Sequence, residues 1–302
     1  MSAPTPPRPL AGLLLGLVAV ALFGATLPIT RWTLGAADAG GGATAGPLSP
    51  MFITFSRVVL AAALSAVFLL AVRASWPKRD EWWPLALASL GNAVLYPLSL
   101  AIALQQQTAA HVAIITALLP LASAIASSLG RDAARGSPRF WVCAVASTGL
   151  VVAFLVQRSD RPFAPALDDL VVLGGVVAAA FGYVQGAAMT RRLGAERVIC
   201  WVTLLALPVS LPLTLIAWPS HPVPAAAWGA LAWLGTVSMW AVFFFWYRAL
   251  DWGGPLRVSQ TQALQPFFSI LMAWPLLAEP PDATTLAVAV AVVTLVAVGT
   301  RR

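Results

Sequence analysis

Charged side chains are scarce in this chain. Asp, Glu, Lys and Arg make up 10% of its 302 residues, whereas hydrophobic residues make up 60%. A water-soluble domain carries roughly 25% charged residues, so the composition excludes an ordinary soluble protein. Uncharged stretches long enough for membrane-spanning helices, about 20 residues each, recur along the sequence. The chain is therefore predicted to be an all-α integral membrane protein, with the lipid bilayer as its surroundings.

Acidic side chains are missing from the middle of every apolar stretch. Asp168, Asp169, Glu279 and Asp282 fall at predicted outer ends of spans, and Asp251 falls at an inner end. A proton- or sodium-coupled carrier usually needs an intramembrane carboxylate that binds and releases the ion. The pattern therefore disfavours such coupling.

Cysteines and catalytic motifs are also few. Cys143 and Cys200 are the two cysteines of the chain, and both lie in apolar surroundings without metal-ligand spacing. They are predicted to be reduced packing residues. The sequence has no Ser/His/Asp grouping, no HExxH and no phosphate-binding loop. It therefore predicts no catalytic residue, no metal and no cofactor, and the chain is not expected to be an enzyme.

The apolar stretches divide into ten predicted helices. Residues 82–130 and 198–247 each run to about twice the length of one span, so each must form a hairpin of two helices. The hairpins turn at residues 105–107 and 218–224. A helix over residues 51–72 and the remaining apolar stretches complete the set of ten.

The basic residues indicate a topology. The net charge is +7, and when the N-terminus is placed in the cytoplasm only Arg158 and Arg161 fall in outer loops. An excess of Lys and Arg on the inner side is typical of membrane proteins. The charge therefore predicts cytoplasmic termini, here in a bacterial inner membrane, and it does not indicate a nucleic-acid partner.

A weak internal repeat relates the two halves. A shift of 146 positions aligns Leu118 with Leu264, Pro120 with Pro266, and Ser123 with Ser269. Five predicted helices separate the two copies, so the second copy crosses the membrane in the opposite sense. The fold is thus predicted as ten transmembrane helices in two inverted five-helix repeats, residues 1–157 and 170–302, joined by an extracytoplasmic linker, residues 158–169. Inverted repeats of this kind are typical of transporters. Glycine pairs 12/16 and 182/186 have the spacing of close helix contacts.

The two aligned prolines point to a candidate site. Each proline leaves a backbone carbonyl unpaired one turn earlier, which is costly in lipid unless water or a polar group satisfies it. A simple kink is the alternative to a hydrated central cavity between the fourth and ninth predicted helices. Neighbouring helices joined by short turns should bring further side chains to this cavity. The residues predicted to bind substrate there are Tyr96, Thr116, Pro120, Trp246, Gln262, Gln265 and Pro266.

Three further residues carry charge or titrate near the outer side of the bundle. His111 stands at the outer end of the fourth predicted helix, as an interfacial polar residue, a substrate contact or a pH-sensitive gate. Arg31 and Arg57 are cations on the outer side, against the usual charge distribution. Arg57 interrupts its apolar helix and is predicted to face the interior. It either bonds to backbone carbonyls or contacts a substrate carboxylate.

The chain resembles the EamA family of the drug/metabolite transporter superfamily. The resemblance rests on Phe-Gly at 23–24 and 181–182, on Arg57, and on Ala-Leu-x-Pro at 117–120 and 263–266. Residues 246–250 and 277–280 add to it, whereas Gly-Arg-Asp at 130–132 departs from the family pattern, which carries a Glu there. The resemblance implies export of metabolites, often amino acids, by alternating access. Within the family the chain looks most like the exporters of aromatic and neutral amino acids.

Other readings of the sequence remain open. A nucleotide-sugar or lipid-linked metabolite carrier would favour several cations in the cavity, and this chain offers Arg31 and Arg57. A membrane scaffold or sensor without transport would be expected to carry soluble domains or long tails. The small-molecule substrate stays undefined, and the chain is expected to be a monomer or a homodimer.

Overall fold

The computed structural model describes residues 9–33, 48–103, 109–129, 136–158, 167–277 and 281–301, and its regular structure is helical wherever the chain is described. In chain order the elements are α1 (Pro9–Gly24), α2 (Thr26–Thr33), α3 (Pro50–Ala71), α4 (Trp82–Ser89), a first π segment (Leu90–Leu95), α5 (Tyr96–Ala103), α6 (Ala109–Thr116), α7 (Leu119–Ser128), α8 (Pro138–Gln157), α9 (Leu167–Leu193), α10 (Ala195–Ile216), α11 (Ala225–Trp233), a second π segment (Leu234–Ala241), α12 (Val242–Gly253), α13 (Pro255–Val258), a 3₁₀ segment (Ser259–Leu264), α14 (Gln265–Leu277) and α15 (Ala283–Thr300).

Taken singly or joined end to end, these helices form stretches long and apolar enough to span a bilayer. Eight candidate spans meet that standard in the described residues, and Val112–Ser128 is a shorter apolar helix. Two of the eight, Trp82–Ala103 and Ala225–Gly253, each contain one of the π segments. The helical membrane architecture expected from the scarcity of charge is therefore confirmed.

The aligned prolines begin new helical segments. α7 starts at Leu119, one residue before Pro120, and α14 starts at Gln265, one residue before Pro266. A proline in the first turn of a helix loses nothing, because that N–H has no partner within the helix. The sequence predicted prolines in the middle of continuous helices. The structure instead interrupts each helix just before its proline.

The helices pack in recurring pairs. α3 lies along α10, α8 lies along α15, and α1 lies along α12. The run from α4 to α5 packs against α9, as does α7, while α14 packs against α1 and α2. Each π segment contacts a helix of the other half of the chain. Asn92 of the first lies over Gly182 of α9, and Ser238 of the second is hydrogen-bonded to Thr26 of α2 at 2.7 Å.

Glycines allow two of these helix pairs to approach closely. A methyl group at Gly12 would overlap the backbone of Gly253, and one at Gly16 would lie 2.8 Å from a methyl carbon of Val258. A methyl group at Gly186 would overlap the ring of Tyr247, which is fully buried. The close contacts predicted from the glycine spacing are therefore present in both halves of the chain.

Replacing Gly186 with alanine is expected to lower the melting temperature by roughly 3–8 °C. The added methyl group must displace the Tyr247 ring, and overpacking of this kind costs about 1–3 kcal/mol. Gly174→Ala is the matched control on the same helix, because a methyl group there meets nothing within 4 Å. Thermal unfolding of the purified variants measures the difference. Equal melting temperatures for both would contradict the packing described here.

Candidate functional site

Polar side chains from six elements meet inside the helical bundle. They come from α3, the first π segment with α5, α9, α12 and the 3₁₀ segment. All three tyrosines of the chain are among them. We call this group the central polar cluster, and its members are Arg57, Asn92, Tyr96, Tyr183, Tyr247 and Gln262.

Arg57 is the cation of the cluster. It lies roughly 10 Å along α3 from the start of that helix, and its guanidinium interacts electrostatically with Tyr96 and Tyr183. The side chain is half-buried, and its Nε is buried without a hydrogen-bond partner. No hydrogen bond or ion pair joins Arg57 to any residue that the structure describes. The tie to backbone carbonyls considered from the sequence is therefore not formed within these residues.

Asn92 reaches the cluster from the first π segment. Its side-chain nitrogen donates to the Tyr247 hydroxyl at 3.1 Å, while its Oδ1 is buried without a partner. The amide lies against Gly182, where a methyl group would come within 2.8 Å of it. A π segment rotates the residues that follow it relative to a regular helix, and such segments are frequent at functional sites. Here the segment leaves one amide oxygen free in the interior.

Gln262 supplies a second free amide oxygen. It lies in the 3₁₀ segment, and its exposed fraction is 5%. Its side chain interacts with the hydroxyl group of Tyr183, whereas its Oε1 is buried without a partner. A buried acceptor without a donor costs free energy, so the oxygens of Asn92 and Gln262 are both suited to an incoming donor.

Aromatic rings form a wall beside the polar side chains. Trp246 is fully buried and packs edge-on against Tyr183 and Phe23, with ring centroids 5.5 Å and 6.2 Å away. Phe23 also contacts Phe243 at 5.2 Å. The indole Nε1 of Trp246 is buried without a partner. The wall therefore combines apolar area with one unused donor.

The Pro120 carbonyl is satisfied by protein. Gln260 donates its side-chain nitrogen to this oxygen at 3.0 Å, and the Thr116 hydroxyl donates to the Ala113 carbonyl at 3.1 Å. α7 thus packs directly on the 3₁₀ segment in this conformation. Sequence reasoning missed Gln260, although it lies in the same polar run, Ser259–Leu264, as Gln262.

The structure separates the predicted site residues into groups. Tyr96 lies within electrostatic reach of Arg57, and Trp246 and Gln262 both interact with Tyr183 beside it. Thr116 and Pro120 lie on α6 and α7, and Gln265 and Pro266 are half-buried at the start of α14. The backbones of Arg31 and His111 belong to α2 and α6, but their side chains lie outside the described residues.

Three members of the cluster, Asn92, Tyr183 and Tyr247, were missed by sequence reasoning. Tyr183 directly follows the Phe181-Gly182 pair, and Tyr247 follows Trp246. The rarity of tyrosine in the chain was the signal that could have drawn attention to them.

Ion pairs lie away from the cluster, at the ends of helices. Arg192 pairs with Asp80 at 2.6 Å, Arg191 with Asp251 at 3.1 Å, and Arg248 with Glu196, all where α9 ends and α10 begins. The hydrogen bond from Arg192 lowers the pKa of the Asp80 carboxyl below its usual value. Arg158 and Asp282 pair at 2.9 Å between the end of α8 and the start of α15. Exposed pairs of this kind contribute little to stability.

Comparison with known proteins supplies relatives over nearly the whole chain. Residues 167–299 match the EamA-like transporter family. A protein of Bacillus subtilis (strain 168) named "Uncharacterized transporter YdeK" is 35% identical over 291 residues, which cover 95% of this chain and 96% of that protein. A crystal structure of a protein aligns with a TM-score of 0.73 at 20% identity, covering 97% of this chain and 98% of the other. At that identity the last likeness concerns the fold alone.

Proposed function

Because the chain belongs to the EamA-like transporter family and is a multi-pass membrane transporter, we propose that it exports amino acids with neutral or aromatic side chains. Transport runs down the concentration gradient of the substrate, and the binding site is the central polar cluster. The observation that carries the proposal is Arg57, a half-buried cation whose Nε is buried without a partner and to which no described residue offers a counter-charge.

The cluster is complementary to a zwitterion. An arginine can hold a carboxylate through two parallel N–H donors, and the free oxygens of Asn92 and Gln262 are acceptors suited to an ammonium group. The aromatic wall around Trp246 then faces the substrate side chain, where a ring or an aliphatic group adds apolar contact. A substrate with one carboxylate, one ammonium group and an apolar side chain uses the guanidinium, both free amide oxygens and the aromatic wall.

The architecture proposed for this transporter is ten helices in two inverted repeats, residues 1–157 and 170–302. The helices that hold Pro120 and Pro266 would add two spans to the eight candidates. Three observations support the symmetry. α7 and α14 start at equivalent places relative to their prolines, and each half contains a π segment. The first π segment contacts α9 and the second contacts α2, so each meets the first predicted span of the other half. Two halves of the same shape can exchange roles, which is the basis of alternating access.

The proposed topology places both termini in the cytoplasm of a bacterial cell, across its inner membrane. The arginine-rich ends at the α9–α10 junction are then cytoplasmic, in keeping with the positive-inside rule.

A single cysteine introduced at position 160 should react with an impermeant thiol reagent added outside the cell. Reaction only from the cytoplasmic side would reverse the topology.

Counterflow in proteoliposomes tests the proposed function. Vesicles loaded with unlabelled phenylalanine or leucine should accumulate the labelled amino acid with no pH or sodium gradient, because no acidic side chain belongs to the cluster. The panel includes sugars, nucleosides and a nucleotide sugar, with empty vesicles as the control. A strict need for an ion gradient, or uptake of the nucleotide sugar alone, would refute the proposal.

A further inference from the structure

One unpartnered donor lies on the cation of the central polar cluster and another on the aromatic wall that packs against Tyr183. The Nε of Arg57 and the Nε1 of Trp246 are both buried without hydrogen-bond partners. The phenol groups of Tyr96 and Tyr183 lie within electrostatic reach of the guanidinium. Each phenol can donate a proton to an acceptor. The positions around Arg57 are thus supplied with donors on several sides.

Among the residues that the structure describes, no acidic side chain pairs with Arg57. The acidic side chains of Asp80, Glu196, Asp251 and Asp282 pair with arginines at the ends of helices. An unpaired cation at membrane depth is expensive, and in known proteins it pairs with a charge or faces a water-filled cavity. Arg57 remains protonated, since an arginine does not lose its proton in proteins. Within the described residues its charge is therefore left to a ligand or to water.

We propose that Arg57, Tyr96 and Tyr183 form a binding site for a small inorganic anion, with chloride as the ligand to be tested. The site offers a single positive charge, so it suits a monovalent anion better than phosphate or sulfate, which would bring a second negative charge into low dielectric. A monatomic acceptor also needs no further donors beyond the guanidinium and the hydroxyls beside it. The anion occupies the site whenever a substrate carboxylate does not.

One consequence rests on the proposed function. Chloride and the substrate carboxylate share the same guanidinium, so they exclude each other. Chloride should therefore raise the half-saturation concentration of the amino acid without changing the maximal rate. When the transporter reorients without an amino acid bound, chloride then neutralises the Arg57 guanidinium.

Anion binding is tested on the purified protein in lipid nanodiscs. Sodium chloride replaces sodium sulfate, whose second negative charge the single guanidinium does not match, at constant ionic strength. Tryptophan fluorescence follows thermal unfolding. Chloride is expected to raise the melting temperature saturably by roughly 3–5 °C in the wild type. Arg57→Gln should abolish the rise, and Tyr183→Phe should shift it to higher chloride. Arg257→Gln, which removes a half-exposed arginine at the end of α13, is the matched control and should retain it.

The outcomes separate this proposal from the proposed function. No saturable rise in the wild type, or an unchanged rise in Arg57→Gln, would overturn the anion site. Counterflow of amino acids that is insensitive to chloride would also overturn it, while leaving the transport proposal intact. Chloride stabilisation that depends on Arg57, found in a protein that shows no amino-acid counterflow, would support the anion site and refute the transport proposal.

Discussion

Arg57→Gln is expected to reduce amino-acid counterflow by roughly 10- to 100-fold. A hydrogen bond to a charged group contributes about 1.5–3 kcal/mol, and the loss falls on the substrate carboxylate, which glutamine cannot neutralise. Arg57→Lys should keep part of the activity, because it retains the charge but not the planar pair of donors. Counterflow of labelled leucine or phenylalanine at subsaturating concentration measures both.

The Arg57→Gln variant should still fold, because the substitution removes an unpaired cation from the interior of the bundle. Its melting temperature in the absence of chloride is expected to equal or exceed that of the wild type. Arg257→Gln again serves as the control and should transport normally. Counterflow by Arg57→Gln at the wild-type rate would show that substrate binds elsewhere.

The fold was predictable from the sequence mainly because lipid imposes strict rules. Long uncharged stretches must be helices in a bilayer, so the helical architecture followed from composition alone. The resemblance carried by Phe181-Gly182, Arg57 and the two Ala-Leu-x-Pro stretches is confirmed by the family match and by the Bacillus subtilis relative. Both prolines also marked real interruptions, although the structure places them at the start of helices rather than inside them.

The contents of the site were less predictable, and the reason is physical. In a membrane helix the face toward lipid and the face toward the protein are both apolar, so periodicity does not reveal which residues point inward. Tyr183 on α9 and Tyr247 on α12 could therefore not be assigned to one cluster from spacing. The π segment that presents Asn92 shifts the helical face by part of a turn, which no sequence pattern indicated. Likewise, the sequence placed Gln262 in the cavity between the two proline-bearing helices, whereas the side chain that bonds to the Pro120 carbonyl is that of Gln260.

Gln262→Leu is expected to raise the half-saturation concentration of the transported amino acid about 10-fold. The wild-type side chain is 5% exposed, and its Oε1 has no partner. In the proposed complex this oxygen accepts a hydrogen bond from the substrate ammonium group, and loss of one bond to a charged group costs about 1.5–3 kcal/mol. Concentration dependence of counterflow measures the change. The maximal rate should change less, because the Gln262 side chain is proposed to bind substrate and not to take part in the conformational change.

Gln265→Leu provides the comparison that makes this result specific. Gln265 directly follows the polar run Ser259–Leu264 but is half-buried at the start of α14, so its replacement should weaken transport less. Both leucine variants should fold, because leucine is tolerated in a membrane helix whereas a buried amide without a partner is costly. Wild-type kinetics in both variants would remove the amides from the site. A larger loss in Gln265→Leu than in Gln262→Leu would move the substrate from the tyrosines of the cluster toward the start of α14.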